Sequence, residues 1–496
     1  MSRTGITEIY LQNFKGISEK VRIPLKPITL LFGPNSTGKS TINHALHYAR
    51  ELLLNDNPNA DNSDIGGNAI DLGGFQNLVH NHDMSKDIKI GFTIIPDSKG
   101  IPSSSDLFQR YFDSDLKDSF DLSKNINNFK IELTISWDDR HNTPYVSHIE
   151  FFFNNQGTIN FYNYNSEDPA ELNICEASFC QLFESNKSIS QNISIEYLKK
   201  NYDGLLYSGY KLSGIDTTHP FDIDISGTWD QVEAINMVLN QLVQGTLKLL
   251  KEQLKQFRYL GPIRHVPKRG FSTPSRIDEK RWFDGLAAWD LLYHDESLIK
   301  LSNKYLSDKY MKSGYQIVLF RYEEDYLADD LLQGVNVDFR VKKRIELVDT
   351  KRKILVTAKD IGVGISQVIP VIVGAVDNSK KIFSIEQPEL HLHPKAQCSL
   401  ADIFIEEINN DNGRIFLIET HSEHLVLRFL RRIRETAILE THSESSLVMK
   451  PNDLGVLYVH NPDNKTEIIE LPVNEEGEFT VQWPSGFFEE RAEELF

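Results

Sequence analysis

Cysteine is almost missing from this chain: there are three in 496 residues, Cys175, Cys180 and Cys398. Three thiols cannot build a disulfide framework or a four-cysteine zinc site, so a reducing compartment is expected. Long hydrophobic runs are missing too. The apolar stretch 368–376 is too short to cross a bilayer and contains Pro370, so no membrane partner is expected. The opening MSRTGITEIYLQNFK has no apolar core of the secretory kind, and the expected location is the cytoplasm. Positive charge is scarce: 53 Lys and Arg stand against 71 Asp and Glu, a net −18 at pH 7. That excludes coating of nucleic acid by bulk charge, but not a local basic patch. With 40% hydrophobic and 25% charged residues the chain is globular, and its length suggests roughly two to four packed units.

What is present concentrates at the two ends. Residues 6–14 and 28–32 read as strands rich in β-branched and aromatic side chains. Residues 41–54 have helical spacing at Ile42, Ala45, Leu46, Ala49 and Leu53. A polar loop over 55–68, a strand over 87–95 and a polar break over 98–106 follow. From 107 the texture changes to Asn-rich strands at 129–137, 145–154 and 158–164. A helical stripe then runs through Val232, Ile235, Leu239, Leu242 and Leu249. Residues 340–425 return to α/β texture, with strands at 381–385 and 414–418. The expected division is an N-terminal lobe over 1–106, a mixed α/β insertion over 107–339, a C-terminal lobe over 340–450 and a closing segment over 451–496.

Gly33-Pro34-Asn35-Ser36-Thr37-Gly38-Lys39-Ser40 fits G-x-x-x-x-G-K-[ST] at every fixed position, with a strand before it and a helix after it. Such a loop turns backbone N–H groups inward to cradle phosphate oxygens, and the helix beginning at Thr41 points its positive end at them. Lys39 can reach the β- and γ-phosphates of ATP, and Ser40 can ligate Mg²⁺. A second acid should close a buried strand nearby. Ile382-Phe383-Ser384-Ile385-Glu386 meets that description, with Glu386 at the carboxyl end where ligands gather in open α/β sheets.

Taken together, these residues resemble a known family. Ile385-Glu386-Gln387-Pro388-Glu389-Leu390-His391-Leu392-His393-Pro394 is similar to the extended Walker B and D-loop of ABC-type AAA ATPases related to SMC, RecF and OLD proteins. Lys359-Asp360-Ile361-Gly362-Val363-Gly364-Ile365-Ser366-Gln367 resembles the variant signature motif of that group, and Ile418-Glu419-Thr420-His421-Ser422 its switch-histidine loop. Residues 258–264 and the closing 483–488 resemble the subgroup that includes ATPase subunits of Septu and retron-type antiphage systems. The resemblance implies an α/β P-loop NTPase of ABC-ATPase head type, split by an insertion, with ATP and Mg²⁺ as cofactors. It implies a homodimer or higher homo-oligomer in which the Walker motifs of one head face the signature of another. Gly364, Ser366 and Gln367 would meet nucleotide there, with Ser366 capping its helix and offering a hydroxyl to the γ-phosphate. His421 would bond the same phosphate. Asn13 and Lys15 match the position where the family's N-terminal strand meets nucleotide, and Gln76 matches a Q-loop residue near the metal. A partner effector nuclease, HNH-type as in Septu, is the implied output, in antiviral defence.

The pattern departs from the family at one position. Related ATPases carry a second acid directly after the Walker B acid, and this chain has Gln387. An amide orients water but cannot take its proton, so hydrolysis is expected to be slow unless Glu389 substitutes. Other readings stay open beside this one. A RecF- or SMC-like ATPase of DNA repair or recombination is one; an OLD-like nuclease acting alone is another, disfavoured because little chain follows His421 for a TOPRIM module. His80-Asn81-His82 spells HNH but lacks the spread of ligands that a nuclease site needs. His391 and His393 fit a subunit interface better than a metal pair. Two basic clusters stand out: Arg258, Arg264, Lys268, Arg269, Arg276, Lys280 and Arg281, and then Arg428, Arg431, Arg432 and Arg434. Each is either a surface neutralised by the abundant acids or a local DNA, RNA or phosphate patch.

Overall fold

The computed structural model describes residues 4–102, 126–154, 156–163, 171–174, 205–206, 236–269, 277–323, 341–410, 413–439, 447–462 and 465–484. Among the described residues the first half of the chain supplies a series of strands: β1 (Gly5–Gln12), β2 (Val21–Pro24), β3 (Ile28–Phe32), β4 (Ile88–Ile95), β5 (Phe129–Asp138), β6 (Thr143–Phe153), β7 (Gln156–Tyr162), β8 (Glu171–Ile174) and β9 (Leu205–Leu206). Helices α1 (Thr41–Leu54) and α2 (Gly74–Leu78) interrupt it. All of these strands except β3 form one antiparallel sheet, ordered β2-β1-β4-β5-β6-β7-β8-β9. That sheet takes strands from both sides of residue 106, so residues 129–162 extend the N-terminal sheet instead of starting a layer of their own.

The second half supplies α3 (Thr246–Lys255), β10 (Phe257–Leu260), α4 (Leu286–His294), α5 (Glu296–Leu306), β11 (Tyr315–Glu323), β12 (Val341–Asp349), β13 (Ile354–Val356), α6 (Val363–Val376), β14 (Ile382–Glu386), α7 (Pro394–Asn410), β15 (Ile415–Glu419), α8 (Glu423–Leu439), β16 (Leu454–His460) and β17 (Glu467–Glu470). Here β3 joins strands distant in sequence to make a second sheet, β10-β14-β15-β3-β16-β17. Its first five strands are parallel, and β17 closes the edge antiparallel to β16. Strands β11 to β13 form a separate small sheet.

Parallel strands covered on both faces read as continuous apolar runs, and β3, β14 and β15 do: ITLLF, IFSIE and IFLIE. Alternation sorts them between two cores. Leu31, Ile382, Ile415, Leu417 and Leu457 face α1, α3 and the antiparallel sheet. Leu30, Phe32, Phe383, Ile385, Phe416 and Ile418 face α4 to α8. Each fully buried aliphatic or aromatic side chain contributes about 1.5–3 kcal/mol. The expected inward row on the last helix, Leu425, Phe429, Leu430 and Ile433, is buried in the second core. Val232 and Ile235 lie outside the described residues, whereas Leu239 and Leu242 pack in the first core through a π-helical turn, Gln241–Gly245, that runs into α3. No helix among the described residues is long and apolar enough to cross a membrane.

Candidate functional site: a phosphate loop facing two glutamates

The P-loop leaves β3 at its carboxyl end. Ser36 and Gly38 take left-handed φ of 65° and 97°, the alternation that makes successive N–H groups converge into an anion nest. Among the described residues, the N–H groups of Ser36, Gly38, Lys39 and Ser40 make no hydrogen bond within the protein. The first turn-closing bond runs from Thr41 N to Gly38 O at 3.0 Å, where α1 begins. Asn35 and Ser36 are exposed at the tip of the loop, while Thr37, Lys39 and Thr41 are buried. The Lys39 ammonium bridges the loop, donating to Gly33 O at 2.9 Å and Pro34 O at 2.7 Å. Burial lowers its pKa, against the pull of Glu419 and Glu386, which face it.

The alternation of β14 and β15 decides what Lys39 meets. Glu386 and Glu419 are register partners at the strand ends, on the face that carries Ile382, Ser384, Ile415 and Leu417 toward α1. Ser40 Oγ donates to Glu419 Oε2 at 3.1 Å. Glu386 Oε1 accepts from Tyr259 OH at 2.9 Å and from Asn43 Nδ2 at 3.3 Å, and Asn43 is itself held by Ser384 Oγ at 2.6 Å. Desolvation raises the pKa of Glu386, with Tyr259, Asn43, Arg264 and Lys39 opposing it. Glu419 is pushed up to about 7 by burial and by the charge of Glu386, against Lys39 and Ser40. Two carboxylates and a hydroxyl beside a phosphate cradle are hard oxygen donors suited to Mg²⁺. No group of three or more His, Cys, Asp or Glu among the described residues is placed to hold a metal unaided. Mg²⁺ takes one or two carboxylates and completes its shell with phosphate and water.

Glu419 is the residue that the sequence reading passed over. The signal was present: IFLIE repeats IFSIE almost letter for letter, ending in the same acid. What the letters do not carry is the register that sets the two acids side by side.

Behind Glu386 the chain turns sharply. Gln387 has a left-handed φ of 45°; its N–H donates to Glu419 O at 2.7 Å, which ties the Walker B turn to the end of β15. Arg264, 3% exposed, donates to Glu386 O at 2.6 Å and Gln387 O at 3.2 Å, so this arginine positions the turn. Burial lowers its pKa to about 10. Glu389 Oε1 accepts from His421 N at 2.8 Å, while Glu389 Oε2 and His421 Nε2 are buried without a partner. Both residues, with Gln387, line an open cavity of about 570 Å³ between the D-loop and the switch loop. Burial, helped by the Lys39 charge, lowers the pKa of His421, so its imidazole is neutral at pH 7.

Other expected residues sit further off. Gly362, not Ser366, is the N-cap of α6; Ser366 lies within the first turn and donates back to Val363 O at 3.0 Å. Its expected capping role is therefore corrected, because the helix begins one turn earlier than the motif suggested. A Cβ on Gly364 would stand 2.4 Å from His391 O, so the signature packs closely on the D-loop. Gln367 Nε2 donates to Arg264 O at 2.6 Å. Lys15 bonds His44 in the first turns of α1, and burial lowers its pKa to about 8. Asn13 Nδ2 donates to Asp87 O at 3.0 Å. Gln76 is exposed on α2, where its carbonyl accepts from His82 Nδ1 at 2.8 Å.

Six of the eight described arginines in the two basic clusters meet acids, while Arg264 and Arg434 donate to backbone carbonyls. Arg428 and Arg432 share Asp402 at 2.9 and 2.8 Å, Arg431 meets Glu435 at 2.7 Å, and Arg434 donates to Glu476 O at 3.0 Å. Arg258 pairs with Asp377 at 2.6 Å, Arg281 with Asp290 at 2.9 Å, and Arg269 with Asp360. Arg276 lies outside the described residues.

Residues 5–426 match the family model described as AAA ATPase domain, and residues 449–496 match one described as protein of unknown function (DUF3696). No curated protein sequence matches the chain. Similar solved structures include an SMC head bound to the C-winged helix domain of ScpA, with 11% identity over 94% of this chain and 98% of that one, at a TM-score of 0.42. An SMC head domain from Thermotoga maritima shares 7% identity over 95% and 100% of the two chains, at a TM-score of 0.38. The family rests on the match over 5–426, which spans the P-loop, both glutamates and the switch histidine. With an α/β fold of the P-loop ATPase head type around that site, this chain belongs to the AAA ATPase domain family.

Proposed function

We propose that this protein is a switching ATPase subunit: two or more copies clamp ATP and Mg²⁺ between them, and the assembly controls a separate effector nuclease in prokaryotic antiviral defence. The observation that carries the reading is the N–H nest of Ser36 to Ser40 opposite Glu386 and Glu419, at the carboxyl ends of three adjacent parallel strands. Ser40 and Glu386, with Glu419, would hold Mg²⁺, which neutralises the developing charge on the phosphates. Lys39 would exchange its carbonyl contacts for phosphate oxygens, and neutral His421 would bond the γ-phosphate. Within one chain, the signature residues Gly364, Ser366 and Gln367 contact their own helix, the D-loop and Arg264. That supports a second copy as the place where they meet nucleotide.

Hydrolysis in this reading is slow. Gln387 cannot accept a proton, and in Glu389, the remaining acid of the turn, Oε1 is engaged by the switch loop, which leaves Oε2 as the one oxygen that could take it. Bound ATP then stabilises the assembly for as long as it persists. Single-turnover ATP hydrolysis tests this: turnover slower than minutes, little changed by Gln387→Ala, is expected. Faster turnover that Glu389→Ala abolishes and Gln387→Ala spares would make Glu389 the base and overturn slow holding. The effector half is tested by co-expression with the product of the adjacent reading frame. A small HNH-type protein that co-purifies supports the reading; a recombination operon around the gene contradicts it.

A further inference from the structure

The closing segment has no function in the reading so far, yet it packs directly on the P-loop. Strand β16 lies parallel to β3 on the side opposite β15, with Tyr458 in register with Phe32, the last residue before the loop. Val459 O lies where a Cβ on Gly33 would come within 1.9 Å, so β16 backbone fills the space beside the first glycine of the motif. The chain then returns toward β17 through Thr466, which is 4% exposed. Thr466 N donates to Gly16 O at 2.9 Å, and Thr466 Oγ1 donates to Thr37 O at 3.1 Å. A Cβ on Gly16 would stand 2.3 Å from that hydroxyl, and one on Gly38 would stand 2.8 Å from it. Beyond β17, Trp483 sets its ring edge against Phe32 at 5.9 Å and against Phe479 at 4.8 Å.

We propose that Thr466 is a positioning residue of the nucleotide site, and that the C-terminal segment sets the shape of the P-loop. One planar peptide links the two. In a trans peptide the C=O and the following N–H point in opposite directions. Holding the Thr37 carbonyl toward Thr466 therefore turns the Gly38 N–H away from it, and that N–H is one of the unpaired donors of the nest. Gly16 belongs to no phosphate motif, and Thr466 is what lies where its side chain would be. The inference rests on the ATP-binding reading of this P-loop and adds a residue to it from a segment outside the matched ATPase domain.

The test uses the full chain and Mg·ATP, with affinity by titration calorimetry and thermal stability measured without nucleotide. Thr466→Val keeps the shape and removes the hydroxyl; Thr466→Ser keeps the hydroxyl. Loss of one neutral hydrogen bond predicts ATP affinity about fivefold weaker in Thr466→Val, with Thr466→Ser within twofold of wild type. A melting temperature close to wild type in both variants is also expected. Unchanged affinity in Thr466→Val overturns the proposal, as does equal weakening in Val and Ser variants. If Thr466→Val does not fold, Thr466→Ala is held to the same thresholds. Wild-type protein that fails to bind ATP at all would instead remove the underlying reading.

Discussion

Glu419 carries a burden that only the three-dimensional site explains. It ends a strand at 8% exposure, beside a second carboxylate, with one lysine and one serine to offset the repulsion. Such an acid costs stability in the empty protein and repays it when a cation arrives. Glu419→Gln is therefore expected to stabilise the nucleotide-free chain by about 2 kcal/mol in urea unfolding, since each pKa unit of perturbation is worth about 1.4 kcal/mol. The same change should weaken the Mg²⁺-dependent part of ATP binding at least tenfold. A variant less stable than wild type without nucleotide would mean that Glu419 is a structural acid. Glu386 was legible from its own strand and the preceding P-loop; Glu419 was not, because only inter-strand register makes them a pair. Ser366 was misjudged for a similar reason: a glycine-rich turn leaves the first helical residue undetermined from the letters.

At the scale of elements, the sheet depends on how β10 is anchored. Arg258 on β10 is 2% exposed, stacks on Trp282 at 3.9 Å and pairs with Asp377 at the end of α6. Burial alone would raise the Asp377 carboxyl, but Arg258 and the bonds from Ser379 outweigh it and hold its pKa below the usual carboxylate value. The sign follows from linkage. The unfolded chain takes up this proton first as acid is added, so the stabilisation is complete above the unfolded pKa of about 4 and is lost as pH falls through the folded value. Asp377→Asn is expected to lose about 3 kcal/mol at pH 7, because Arg258 stays buried without its main partner. The gap between wild type and variant should narrow steadily below about pH 4 in urea melts. A gap that stays constant would assign the loss to packing. The strands themselves were legible, since β3, β14 and β15 are short, predominantly apolar runs bounded by polar turns. Sheet membership was not, because β3 leaves its sequence neighbours β1, β2 and β4 for strands more than 350 residues away.

For the whole molecule, chain order and layer order disagree. The N-terminal sheet continues through β5 to β9, whereas the ATPase sheet is assembled from β3, β10 and four strands after residue 380. A net charge of −18 excludes coating of nucleic acid by bulk charge, yet the proposed ligand is itself a polyanion. The structure resolves this: the positive field at the P-loop is local, made by N–H groups, the start of α1 and Lys39, while most of the described arginines in the two clusters are matched by acids. The proposed function stands on ATP joining copies of this chain. The most direct measurement is native mass spectrometry of the full chain with and without Mg·ATP, beside Lys39→Ala. ATP is expected to shift wild type from the 56.9 kDa of one chain to at least twice that mass, retaining one nucleotide per chain, whereas Lys39→Ala does not shift. Wild type that holds ATP and stays at the mass of one chain would contradict it.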